Sequence, residues 1–89
     1  MSETVLITGS SRGIGKAIAL QLAQSGFDIV VHCRSRVEEA EEVAQAVREL
    51  GQRARVLQFD VSHRAEVAEK LLADVEENGA YYGVVLNAG

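Results

Sequence analysis

Residues Val5 to Gly15 read VLITGSSRGIG. A short apolar run enters a glycine-rich turn, and the turn opens directly onto a stretch with helical apolar spacing. Strand, glycine turn, helix is an arrangement that binds a pyrophosphate. The turn brings backbone N–H groups and the positive end of a helix dipole to one point. The glycines stand at 9, 13 and 15. Gly9 suits a tight turn, Gly13 a close approach of phosphate to backbone, and Gly15 close packing of helix against strand. The spacing is Gly-x-x-x-Gly-x-Gly, not the commoner Gly-x-Gly-x-x-Gly. Ser11, Arg12 and Ile14 complete the turn and join the three glycines as candidate cofactor contacts.

The rest of the chain alternates in the same way. The pattern predicts strands at Val5–Thr8, around Ile29–Val31, at Arg55–Phe59 and at Gly83–Asn87. Between them lie three helical stretches. The first carries Ile14, Ala17, Ile18 and Leu22 and stops at Gly26. The second has Ser35 as N-cap with Glu38 three residues on, a capping-box spacing, and an apolar face of Val37, Ala40, Ala44 and Val47 extended by Leu50. The third has Ser62 as cap and an apolar face of Val67, Ala68, Leu71, Leu72 and Val75. Strands joined by helical crossovers imply a parallel sheet with right-handed connections. The expected fold is α/β and Rossmann-like, with strand order 3-2-1-4 and helices on both faces. It forms one unit over residues 1–89, the first part of a doubly wound fold. Ligands bind at the carboxyl ends of such strands. There the turn at Gly9, the segment Cys33–Arg36, Asp60–Val61 and Asn87–Gly89 should converge.

The chain has 89 residues, 47% apolar and 25% charged, with a net charge of −4. That balance argues against nonspecific nucleic-acid binding through a basic surface. No apolar run approaches a membrane span. One cysteine, Cys33, excludes an internal disulfide, and no Cys/His spacing suggests a metal site. The natural location is the cytoplasm. Cys33 reads as a small, partly buried packing residue, His32 as a strand-end residue, and His63 as an exposed residue near a helix start.

The motif Thr8–Gly15 resembles the cofactor loop of the short-chain dehydrogenase/reductase family, Thr-Gly-x-x-x-Gly-x-Gly, at every position. Within that family the chain is most similar to the 3-oxoacyl-carrier-protein reductases of fatty-acid synthesis. The resemblance implies a nicotinamide cofactor and hydride transfer to a carbonyl. The end of the second strand, His32–Arg36, carries no carboxylate to hold an unphosphorylated ribose, whereas guanidinium groups and a hydroxyl hold a 2′-phosphate. Basic residues match the family's NADP(H) pattern at Arg12 and Arg34. The cofactor is therefore expected to be NADP(H), selected by Arg12, Arg34 and Ser35, with Arg36 a weaker candidate. By resemblance, Asp60 accepts from the adenine amino group and the Val61 backbone meets the ring. The alternative for Asp60 is a loop carboxylate that helps start the next helix. Asn87, Ala88 and Gly89 match part of the family's Asn-Asn-Ala-Gly signature, with Leu86 in place of the first Asn.

The family's catalytic Ser, its Tyr-x-x-x-Lys pair and a further Asn have no counterpart here; neither Tyr81 nor Tyr82 has Lys at the fourth following position. No catalytic residue is assigned. The chain reads as the N-terminal cofactor-binding portion of a reductase and is expected to be inactive alone. Its parent's partners would be NADPH and a carbonyl substrate such as an acyl-carrier-protein thioester; a homo-oligomer is compatible with the resemblance but is not assigned. Two other readings stay open: a nucleotide-binding module without catalysis, and an interaction fragment that uses the apolar edge strand.

Overall fold

The computed structural model describes residues 3–87. Four short strands lie side by side in the order β3-β2-β1-β4, all parallel. They are β1 (Thr4–Ile7), β2 (Asp28–Cys33), β3 (Ala54–Gln58) and β4 (Gly83–Val85), and the helices α1 (Gly13–Gln24), α2 (Val37–Glu49) and α3 (Arg64–Asn78) connect them in turn. The expected strand order and crossovers are both present.

β1 and β2 occupy the centre. Leu6, Ile7, Val30 and Val31 have no exposed surface. Side chains alternate across a strand, so full burial of neighbours means that both sheet faces are covered. Such strands read as unbroken apolar runs, as LI and IVV do here. Val5, Ile7, Ile29, Val31 and Cys33 point to one face and pack with Ala19 and Ala23 of α1 and with Ala40, Val43, Ala44 and Val47 of α2. Small alanines let both helices sit close to the sheet. Each fully buried valine or leucine contributes roughly 1.5–3 kcal/mol.

The opposite face, where Leu6 and Val30 are fully buried, holds α3, and a polar cluster anchors it. Arg55 alternates with Val56, which packs toward α1 and α2, so Arg55 points the other way. Its guanidinium donates twice to Asp74 of α3, at 2.8 and 2.7 Å. The Tyr81 hydroxyl donates to the same carboxylate at 2.6 Å, and Asn78 Nδ2 donates at 3.1 Å. Asp74 is the buried residue of α3. Burial alone would raise its pKa, but the donations from Arg55 and Tyr81 outweigh that and hold it below the usual carboxylate range. The expected apolar face of α3 is only partly covered. Val67, Leu71 and Val75 are half-buried, whereas Ala68 and Leu72 are exposed.

Several boundaries differ from expectation. β1 runs one residue earlier than predicted and β4 ends at Val85, because its partner Ile7 is the last residue of β1. Ser35 does not cap α2. The helix begins one residue later than the capping-box spacing assumes, with Arg36 as N-cap and no side-chain cap bond. Ser62 likewise does not cap α3: the N-cap is His63. The Ser62 hydroxyl and N–H both donate to Asp60 Oδ1 instead, at 2.7 and 2.9 Å. Val37 and Leu50, at the two ends of α2, are exposed rather than part of its buried face.

Because Asp74 binds β3, α3 and the segment before β4 at one point, its loss leaves Arg55 without its counter-charge. Asp74→Ala is expected to destabilise the fold by about 3 kcal/mol, the usual scale for removing one partner of a buried pair. The shift of the urea midpoint measures it.

Candidate nucleotide-binding site

The turn after β1 is held by its neighbours before any ligand is considered. Gly9 and Gly13 both have φ of 63°, a conformation that costs glycine little and other residues much. The Gly9 N–H donates to His32 Nδ1 at 2.9 Å. The Ser10 N–H donates to the His32 carbonyl at 3.1 Å. The Ser10 hydroxyl accepts the His32 N–H at 2.9 Å and donates to the Ile7 carbonyl at 2.7 Å. On the other side, Asn87 Nδ2 donates to the Gly9 carbonyl at 3.3 Å, and the Asn87 N–H donates to Thr8 Oγ1 at 2.9 Å.

These bonds divide the backbone donors of the turn. Gly9 and Ser10 direct theirs to β2, so they do not face an anion as the sequence suggested for the turn as a whole. The N–H groups of Gly13, Ile14 and Gly15 precede the first intrahelical bond of α1, from Lys16 N–H to the Arg12 carbonyl. Such groups have no partner within the helix. The first turn of α1 carries no acidic residue of its own, which suits an anion at the positive end of the dipole, although Glu39 and Glu42 of α2 line the crevice beside Gly13. A Cβ at Gly13 would meet open space, leaving the backbone accessible. A Cβ at Gly15 would collide with the Gly9 carbonyl oxygen and come within 2.7 Å of Asn87 Nδ2. Gly15 thus serves close packing of helix on turn.

A cavity of about 670 Å³ opens at the carboxyl ends of β1, β2 and β3. Gly9, Ser11, Arg12, Arg34, Ser35, Asp60 and Val61 all line it, so the structure brings together most of the residues picked from the sequence. Gly13 lines a smaller crevice beside it, between the turn and α2. Ile14 is 73% exposed at the start of α1. Asn87 sits on the far side of the turn against Gly9. Ala88 and Gly89 lie outside the described residues.

The walls carry three guanidinium groups, of Arg12, Arg34 and Arg36, and one carboxylate, of Asp60. Arg34 Nε lies 3.5 Å from Asp60 Oδ2. The bonds from the Ser62 backbone and hydroxyl, aided by Arg34, hold the Asp60 pKa below its usual value. Asp60 thereby organises the loop into α3 without capping the helix, and its Oδ2 still faces the cavity wall beside Arg34. Cys33 is buried and its thiol pKa is raised by that burial, which fits a packing role rather than a nucleophile.

Sequence reasoning missed Ser10 and His32. His32 is 2% exposed; Nδ1 accepts from Gly9, so Nε2 carries the proton and donates to the Phe59 carbonyl at 2.8 Å. Burial lowers its pKa against the opposing pull of the Phe59 carbonyl. A polar residue inside a strand that is apolar on both sides was the available signal, because such a group needs bonded partners.

Residues 3–89 match the family described as short chain dehydrogenase. The chain belongs to this family. Over its whole length it is 85% identical to the 3-oxoacyl-[acyl-carrier-protein] reductase FabG of Aggregatibacter actinomycetemcomitans, and it spans 37% of that protein. It is 38% identical over 84 residues to the uncharacterized oxidoreductase YgfF of Escherichia coli K12, covering 94% of this chain and 34% of YgfF. Among solved structures, acetoin dehydrogenase YohF from Salmonella typhimurium superposes with a TM-score of 0.91 at 37% identity, covering all of this chain and 37% of YohF. The chain therefore spans little more than a third of each relative's length. Among the described residues, no helix is long and apolar enough to cross a membrane, and no group of three or more His, Cys, Asp or Glu side chains is placed to hold a metal.

Two outcomes follow from this geometry. Gly15→Ala pushes the Gly9 carbonyl out of place and is expected to cost about 1–3 kcal/mol of stability, the scale of an overpacked site, as read by thermal melting. His32 is buried in its neutral form, and its folded pKa lies below the ordinary 6.5. Below that value the unfolded chain takes up a proton that the folded protein refuses. Stability should fall as pH drops from about 6.5 toward the folded pKa and be flat above it, as far as His32 is concerned. Urea midpoints against pH test this, and His32→Asn should lack this component.

Proposed function

We propose that residues 1–89 form the NADP(H)-binding N-terminal portion of a cytoplasmic carbonyl reductase that acts on 3-oxoacyl thioesters of acyl-carrier protein. The observation that carries the activity is the 85% identity to FabG across the whole chain. The cofactor assignment rests on the cavity. The N–H groups at the start of α1, between Gly13 and Gly15, suit the pyrophosphate. The adenosine ribose would lie along Arg12, Arg34 and Ser35, where a 2′-phosphate finds guanidinium partners and no carboxylate at the end of β2. Val61 would meet the adenine, with Asp60 Oδ2 as acceptor for its amino group. Asn87, Ala88 and Gly89 would border the ribose nearest the reacting end.

Bound NADPH supplies the hydride for carbonyl reduction. The residues of this chain bind and orient it; proton transfer and carbonyl polarisation belong to side chains that residues 1–89 do not include. YohF, an acetoin dehydrogenase, matches over a similar share of its own chain. The same fold thus occurs with another substrate, and the preference for an acyl thioester follows the greater identity to FabG.

Fluorescence titration of the full-length protein with NADPH and NADH tests the cofactor reading. NADPH should bind more tightly. Arg34→Asp should reverse the order and shift the ratio of dissociation constants by about tenfold or more. That is the scale of removing one charge-assisted hydrogen bond and setting a carboxylate against the phosphate. A ratio left unchanged by Arg34→Asp refutes the role of Arg34.

A further inference from the structure

His32 interrupts the apolar run of β2, yet it is as buried as the valines before it. Its two ring nitrogens face different elements. Nδ1 accepts from Gly9, the first glycine of the turn, and Nε2–H donates to the carbonyl of Phe59, the residue before Asp60. The imidazole also packs on the Phe59 ring, with centroids 4.1 Å apart. One side chain thus spans from the glycine turn to the end of β3. Gly9 and Asp60, the residue after Phe59, both line the cavity, as does His32 itself.

Gly9 is the sensitive end of this bridge. Its N–H, in the peptide shared with Thr8, is fixed by His32; its carbonyl, in the peptide shared with Ser10, is fixed by Asn87, and a Cβ at Gly15 would meet that carbonyl. A change in the φ or ψ of Gly9 would break one of these holds and move the turn against the N-terminus of α1, where the anion donors are. A backbone N–H can only donate, so only an imidazole unprotonated at Nδ1 can hold it.

Resting on the nucleotide-binding reading above, we infer that His32 is a positioning residue for the cofactor: its Nε2–H tautomer fixes the Gly9 turn relative to the Asp60 wall. The Gly9 arm matters for nucleotide affinity, and the Phe59 arm serves mainly to select the tautomer.

Two substitutions separate the arms. The Oδ1 of Asn stands where Nδ1 stands and accepts from Gly9. The longer Gln side chain offers its amide to Phe59 in place of Nε2 and leaves Gly9 without an acceptor. In NADPH titrations of the full-length protein, His32→Gln should weaken binding about tenfold, and His32→Asn should stay within about threefold of wild type. Equal losses in both variants, or no loss in His32→Gln, overturn the inference. Nitrogen-15 spectra of histidine-labelled wild-type protein with NADPH bound provide a test that needs no variant to fold. A neutral ring protonated at Nε2 supports the inference; a ring protonated at Nδ1 overturns it. Wild-type protein that binds no NADPH overturns the nucleotide reading and this inference together. Tight wild-type binding with His32→Gln unaffected overturns this inference alone.

Discussion

The turn between β1 and α1 is gripped from two sides, and the rest of the site is arranged around that grip. β2 holds it through His32 and Ser10, and the segment after β4 holds it through Asn87. Local sequence does not make these bonds. They join residues 22 to 78 positions apart, so the turn takes its shape only once the parallel sheet has formed. Parallel pairing puts the carboxyl ends of all strands at one edge, and three of those ends then contribute walls to one cavity. The glycines are the complement of this grip. Gly9 and Gly13 take a backbone conformation that the tight path demands, and Gly15 leaves room for the carbonyl that Asn87 holds.

The two faces of the sheet are fastened differently. α1 and α2 bury small and branched apolar side chains against odd-numbered positions of β1 and β2. On the other face, where Leu6 and Val30 are also buried, α3 has in addition a polar anchor at Asp74, with Arg55 and Tyr81 as donors. An apolar interface tolerates small slips, because dispersion and burial have no direction. A bidentate ion pair with a hydroxyl on the same carboxylate has a narrow geometry. The polar attachment therefore fixes where α3 stands and, through Tyr81, where β4 begins. Burial pushes the Tyr81 phenol pKa up, and its bond to Asp74 adds to this, so the proton that makes the bond stays in place.

Much of this is legible in the sequence where the signal is periodic or steric. The glycine spacing locates the turn, and the alternation of apolar runs yields four strands, three helices and the strand order. The cavity residues follow from their place after each strand. The helix starts are less legible. Ser35 and Ser62 are good capping residues, yet capping depends on the helix beginning at the next position, and each helix begins one residue later. The weakly covered side of α3 is hidden because periodicity reports which residues could face a core, not whether one is there. His32 reads as a plain strand-end residue because its partners, Gly9 and Phe59, become neighbours only through the sheet register. Its polarity between two apolar positions is the one trace that the sequence offers.

The pair formed by Arg34 and Asp60 changes how an anion is received at this edge of the sheet. Arg34 is largely exposed, but its guanidinium already has an anionic neighbour 3.5 Å away. A phosphate that docks there does not meet an isolated cation; it competes with Asp60 for one already shared. The stabilisation is then the difference between two pairings, not the whole of one. Arg34 is also largely in water, so the pair itself stabilises little, and what Asp60 contributes is mainly to orient the guanidinium at the rim of the cavity.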